Sequence, residues 1–282
     1  MDYTVSTKSI HAIKTQLFRW YTFYEREMNK ERISDQLEIL SDEVTINSMG
    51  KIVTGKEEYE KILPIYKGTK NAHKFTAINV NNDAGAISAQ AEIIFQTIRA
   101  DNTTAQMKIA YDLQFLAFNG KELPLFQNIT IKPLEQQAFD TFSDTYPTNR
   151  LSALMHCWLF NIKQMNGDAE PFKKLLAEEF ELHFSKDNIV SSMEQFEKWV
   201  KYAASAVSET NHFPEDFEVK TIEENLYEMD VDFVWRGKSP KGDKLQAMTH
   251  HKWIVEDDIN APFAKIRKME VTYKMPFSPL EG

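Results

Sequence analysis

The 282-residue chain is longer than a usual single domain and suits two units of roughly 100–150 residues, each able to bury a core. With 42% hydrophobic residues, 12% aromatics and nine glycines, it is neither disordered nor fibrous. Its net charge of −9, about −2 on residues 1–140 and −7 on residues 141–282, argues against nucleic acid and acidic membrane surfaces as partners, and its single cysteine, Cys157, excludes an intrachain disulfide and a thiolate zinc cage.

The opening "MDYTVSTKSIHAIKTQLFRW" carries an acid at position 2 and no apolar core of seven or more residues, and nowhere do 18 apolar residues run together. With the lone thiol, this predicts a soluble cytoplasmic protein. Residues 8–30 place Ile10, Ile13, Leu17, Trp20, Tyr21 and Tyr24 three and four apart, the stripe of an amphipathic helix. A short helix ending near Leu40, an alternating run with Val44 and Ile46, a turn at Gly50 and a short strand Lys51–Thr54 follow. Gly55 then precedes a helix carrying Tyr59, Ile62 and Leu63. After His73 the period changes to two, and "AISAQAEIIFQTIRA", "AQMKIAYDLQFLAF" and "FQNITIKPL" read as an antiparallel meander. Helices early and antiparallel strands late predict an α+β fold, not a doubly wound parallel sheet.

The second half repeats this order. "SALMHCWLFNIKQMNG" is a helix, "AEPFKKLLAEEFELHFS" a short helix running into a strand, and "SMEQFEKWVKYAASAVS" a helix. Four strands follow: "DFEVKTIEE", "LYEMDVDFVWRG", "LQAMTHHKWIVED" and "FAKIRKMEVTYKM". Laid together, Trp20 meets Trp158, Leu40 meets Leu176, Val44 meets Phe180, Tyr59 meets Phe196, His73 meets His212 and Phe95 meets Phe233. The offset of 136 to 139 predicts duplication of a whole domain: one over 1–134, a linker over 135–150 and a second over 151–282.

The stretch "FNIKQMNGDAEPFKKLLAEEFELHFSKDNIVSSMEQFEKWV" resembles the opening of SnoaL-like domains of the nuclear transport factor 2-like superfamily. There a helix, a "GD" loop, a second helix ending in an acidic pair, a strand hairpin and a third helix precede a curved sheet. The resemblance covers nearly the whole chain, twice. It implies two cone-shaped domains, helices packed across a curved, mainly antiparallel sheet, an apolar pocket at the mouth of each cone, and dimerisation through sheet faces in many members.

Alternation on "YEMDVDFVWR" turns Tyr227, Met229, Val231, Phe233 and Trp235 to one side and Glu228, Asp230, Asp232 and Arg236 to the other. The aromatic side lines the cone in this reading. Ile93, Phe95, Thr97, Ile109, Tyr111, Leu113 and Phe115 line the first cone. On the reverse of the first sheet Ile94, Ile98, Leu116 and Phe118 predict a surface packed against the other half or a second chain.

His73 and His212, which begin or immediately precede the first long strand of each half, read either as hydrogen-bonding or proton-transferring imidazoles near the pocket mouth or as loop histidines bonded to a backbone carbonyl. In "THHKW", Thr249, His251 and Trp253 share one face and His250 the other, so the two histidines cannot share a metal; no metal site and no cofactor are expected. His251 is the candidate base of the second cone, or else a satisfied polar group in an apolar core. Tyr111 is its counterpart in the first cone, as a hydroxyl donor or as half-buried packing. Trp20, Trp158, Trp235 and Trp253 join Phe95 and Phe233 as core and pocket wall.

The superfamily's ketosteroid isomerases carry their base, an Asp, on the early hairpin. The matching positions here hold Ser48 and Phe184, or Asn47 and His183 one residue earlier, so that chemistry is disfavoured. Cys157, mid-helix beside Trp158, reads as a small buried hydrophobe. No nucleophile elbow, phosphate loop or dinucleotide fingerprint occurs. The expected function is binding of a small, largely apolar organic molecule, with cofactor-free isomerase, cyclase or dehydratase activity as one option and a non-catalytic, pseudo-dimeric binding or assembly module as the other.

Overall fold

The periodic stripe at the N-terminus becomes α1 (Lys8–Tyr24), which buries Ile13, Leu17, Trp20 and Tyr21. The computed structural model describes residues 7–83, 86–139, 141–185 and 188–280. Helix α2 (Lys30–Glu38) starts at Asn29, whose side chain accepts the Arg32 backbone N–H at 2.9 Å, an N-cap of the usual kind. The hairpin β1 (Leu40–Ser48) and β2 (Lys51–Thr54) leads through Gly55, at φ 88°, into α3 (Lys56–Ile62). Only glycine takes that backbone angle without steric cost. The meander β3 (Lys70–Asp83), β4 (Ala86–Ile98), β5 (Thr104–Phe115) and β6 (Phe126–Gln137) completes a mixed sheet of order β2-β1-β6-β5-β4-β3, in which β1 runs parallel to β6.

The same order returns as α4 (Tyr146–Ile162), a 3₁₀ turn (Glu170–Leu175), β7 (Leu176–Ser185), β8 (Asn188–Val190), α5 (Met193–Ala206), β9 (Glu209–Glu223), β10 (Leu226–Lys238), β11 (Lys244–Glu256) and β12 (Lys265–Pro279). Its sheet has the order β8-β7-β12-β11-β10-β9, with β7 parallel to β12. The fold is α+β and the two halves are copies of one architecture, with the element order that the SnoaL-like resemblance implies. The residues cluster into two units. We call Ala12–Ala153 with Ile259–Pro262 the first unit and the remainder the second; the division falls within α1 and within α4. Among the described residues, no helix is long and apolar enough to cross a membrane.

Three features depart from the sequence reading. β3 and the three-residue β8 are strands that alternation did not reveal, and β9 begins at Glu209 instead of near residue 216. β3 is rich in Asn, half of it faces water, and a bulge between Phe75 and Ala77 interrupts what apolar alternation it has. β6 runs to Gln137 and α4 starts at Tyr146, inside the span assigned to the linker. Pro147 is the second residue of α4, where a missing N–H breaks no helical bond.

Third, the pairing of Phe95 with Phe233 is displaced by two residues. His73 lies opposite Phe95 on β4, whereas His212 lies opposite Trp235 on β10. Tyr111 lies opposite Ala91 and His251 opposite Val231. The equivalent positions are therefore His73 and His212, Tyr111 and His251, Phe95 and Trp235, and Ile93 and Phe233. A two-residue slip keeps every side chain on its own face, so period-two patterning cannot detect it.

The predicted inner face of β10 is buried throughout: Tyr227, Met229, Val231, Phe233 and Trp235 are each 7% exposed or less. The outer face carries ions. Asp232 is buried there with His250 Nδ1 at 2.9 Å and the Lys274 ammonium on its other oxygen, and Lys274 leads in holding its pKa below the usual carboxylate value. On the outer face of the first sheet Ile94 and Ile98 are half-buried, and the pairs Glu92–Lys108 and Asp112–Lys132, each at 2.6 Å, stand among them.

Candidate ligand site in the second unit

Helices α4 and α5 and the inner faces of β9 to β12 enclose a cavity of about 380 Å³. Six residues singled out in the sequence line it: Trp158, His212, Phe233, Trp235, His251 and Trp253. Phe233 separates the two imidazoles, with the His212 ring edge-on to it at 5.9 Å and the His251 ring edge-on at 4.7 Å. Trp158 packs across Trp253 at 5.8 Å, and the Trp235 indole N–H donates to Thr210 Oγ1 at 2.6 Å. Phe184 lies flat on Trp199 at 3.6 Å between ring centres. Tyr202, Tyr273 and Phe277 also line the cavity and are 68%, 48% and 53% exposed, so they form its open rim.

Among the described residues, no Asp, Glu, Lys or Arg lines this cavity. Besides the rim tyrosines, its titratable groups among the described residues are two imidazoles, and burial is the main cause that holds both neutral. His212 is pushed down to about 4, with nearby Lys163 adding to the effect. His251 is pushed down to about 3, with His212 and His250 adding and Asp232 opposing. His251 Nε2 lies 3.0 Å from Thr249 Oγ1, while its Nδ1 is buried without a hydrogen-bond partner, as is Trp253 Nε1. A space so lined favours an uncharged guest, because an ion entering it would lose water and gain no counter-charge.

The other predicted site residues, Trp20, His73, Phe95 and Tyr111, come together in the first unit, where side chains fill the corresponding space. Tyr21 lies flat on His73 at 5.1 Å and edge-on to Tyr111 at 5.6 Å. Tyr111 is 4% exposed, and burial pushes its hydroxyl pKa up. Trp20 stacks on Tyr59 at 5.8 Å, and Phe95 lies 5.1 Å from His73. His73 is held in place by Glu25, whose side chain is 0% exposed. Glu25 Oε1 accepts the His73 backbone N–H at 2.9 Å, Thr145 Oγ1–H at 2.7 Å and Asn149 Nδ2–H at 2.8 Å, and lies 3.1 Å from His73 Nδ1. The other carboxylate oxygen, Oε2, is buried without a hydrogen-bond partner.

Helices α1 and α4 explain the difference. Each has 17 residues, and superposing them end to end matches Trp20 with Trp158. Tyr21 then corresponds to Leu159, Tyr24 to Ile162 and Glu25 to Lys163. Leu159 and Ile162 line the cavity, so two smaller aliphatic chains stand where two tyrosines plug the first unit. Lys163 turns aside to donate to the Thr210 carbonyl at 2.7 Å and to Asn211 Oδ1, and burial pushes its pKa down to about 8.

Sequence reasoning missed Leu159, Ile162 and Trp199, the rim residues Tyr202, Tyr273 and Phe277, and the Glu25 network. The alternation Met269, Val271, Tyr273 on β12 is a signal that could have found part of the wall and rim, since all three line the cavity. Phe184, one of the two residues weighed in the sequence against the ketosteroid isomerase base, lines it as well. Cys157 is 1% exposed. Among the described residues no three His, Cys, Asp or Glu side chains gather in a way that could hold a metal ion.

No protein-family model matches the chain, and no curated protein matches it. Solved structures do resemble half of it. A Novosphingobium aromaticivorans protein provisionally assigned as a scytalone dehydratase is 10% identical, with 48% of this chain and 88% of that one covered at a TM-score of 0.42. A type 2 hexachlorocyclohexane dehydrochlorinase (LinA) is 12% identical, with 48% and 89% covered at 0.42. An uncharacterised Caulobacter vibrioides protein with a cystatin-like fold is 11% identical, with 46% and 91% covered at 0.39.

Proposed function

We propose that the second unit binds a small, uncharged, largely aromatic organic molecule, and that the first unit is a copy in which tyrosines fill the corresponding space. The observation that carries this reading is the pair of substitutions between equivalent helices, which leaves about 380 Å³ lined by aromatic rings in one unit and a solid tyrosine core in the other. That volume lies at the small end of the range for organic-ligand pockets, about 300–1,000 Å³. Trp158, Phe233, Trp235 and Trp253 supply the wall, and the rim rings extend the contact outward.

Leu159→Tyr tests this reading, since it restores the plug of the first unit. The wild-type protein is expected to gain thermal stability with naphthalene or a similar small arene, and the variant to fold but show no such gain. A wild type that responds to no uncharged arene, or a variant that responds equally, defeats the proposal.

A second reading, cofactor-free proton transfer with His251 as base, is favoured by one observation: a desolvated imidazole in the cavity wall, oriented by Thr249 at 3.0 Å. A group pushed down to about 3 is a weak base at neutral pH, which ranks catalysis behind binding. Turnover of any bound compound that disappears in His251→Ala while binding persists would reverse that ranking.

A further inference from the structure

Resting on the binding reading above, we infer that His212 is the specificity-determining polar group of the cavity, and that the ligand is an uncharged aromatic molecule carrying a hydroxyl group that hydrogen-bonds to the His212 ring.

Two imidazoles line the cavity, but they differ in what they can offer. His251 has Nε2 engaged by Thr249 Oγ1, and its Nδ1 is sealed within the protein. His212 is half-buried and meets Phe233 edge-on, and no described residue hydrogen-bonds to either of its ring nitrogens, neither of which is sealed from the cavity. Its backbone is fixed on both sides. It pairs with Trp235 in the β9–β10 ladder, and its carbonyl lies 3.2 Å from His11 Nε2. The residue is thus held rigidly while its polar ring atoms are left for a guest.

A neutral imidazole has one donor and one acceptor nitrogen. A ligand hydroxyl both donates and accepts, so it suits whichever nitrogen faces inward. The equivalent His73 has no such vacancy, because Tyr21 covers its face and Glu25 lies beside its Nδ1. Lys163, close enough to His212 to act on it electrostatically, does not line the cavity and is occupied by Thr210 and Asn211, which argues against an anionic ligand.

Binding of naphthalene, 2-naphthol and 2-naphthoate to the full-length protein at pH 7 tests the inference, with His212→Phe and His251→Phe as variants. In the wild type, 2-naphthol is expected to bind about three- to tenfold tighter than naphthalene, the worth of one neutral hydrogen bond, and 2-naphthoate weaker than either. His212→Phe should erase the advantage of 2-naphthol while retaining naphthalene binding, which also shows that the cavity is intact. His251→Phe should keep the advantage. Naphthalene binding with no preference for 2-naphthol, a preference that survives His212→Phe, or 2-naphthoate binding as tightly as 2-naphthol would each overturn the inference and leave the binding reading standing. Failure of all three compounds to bind would overturn both.

Discussion

Acidification should destabilise the second unit through its two cavity histidines. Each has a free-chain pKa of 6.5 and a folded value pushed down by burial, to about 4 for His212 and about 3 for His251. Between those limits the unfolded chain binds a proton that the folded chain refuses, so stability is complete above pH 6.5 and is lost as pH falls toward the folded values. At one pKa unit per 1.36 kcal/mol, each histidine costs about 2 kcal/mol at pH 5 relative to pH 7, or about 4 kcal/mol together. Urea unfolding followed by tryptophan fluorescence suits the measurement, because Trp158, Trp199, Trp235 and Trp253 lie in the second unit and only Trp20 in the first. His212→Asn and His251→Asn should each reduce the loss between pH 7 and pH 5 by about 2 kcal/mol, and the double variant by about twice that. All other titrating groups are shared by the proteins compared and cancel in the difference. A double variant that loses as much stability as wild type would refute the reasoning.

Tyr21→Leu should open a cavity in the first unit at a cost of about 2 kcal/mol, read by urea unfolding, and should make that unit responsive to small arenes in thermal-shift assays. Glu25→Ala leaves the His73 N–H, Thr145 and Asn149 donors without their shared acceptor, and should destabilise the first unit by about 3–5 kcal/mol, reported by Trp20 fluorescence. Gly237→Ala should lower the melting temperature and disturb the rim. Its new methyl group would lie 2.2 Å from the Glu209 carbonyl and 2.5 Å from the Trp235 ring, and the backbone oxygen cannot turn aside; the cost is about 1–3 kcal/mol.

Much of the fold was legible because burial imposes a period. The stripe of α1, the alternation of β10 and the repeated order of elements needed no tertiary information. β3 escaped because polar residues on a half-solvated strand carry little pattern, and α4 began earlier than expected because Pro147 signals a helix start as readily as a linker. The site was half legible for a related reason. Alternation shows which residues face inward, as for Trp235 and His251, but not whether the space they face is occupied. That depends on Tyr21 against Leu159 and Tyr24 against Ile162. All four are acceptable on the buried stripe of a helix, so the pattern is the same for a plug and for a wall. The Glu25 network unites residues at the end of α1, in β3 and at the start of α4 that are up to 124 positions apart, and no local signal announces it.

In both units the first strand runs parallel to the last, with Leu40 opposite Phe126 and Leu176 opposite Ile266. A nascent chain therefore exposes its opening hairpin for some ninety residues of synthesis before the strand that completes the sheet exists. Such distant closure slows folding and lengthens the interval in which a chaperone or an aggregation partner can intervene. Losing the end of either unit should cost not one strand at the margin but the anchorage of the hairpin that began it.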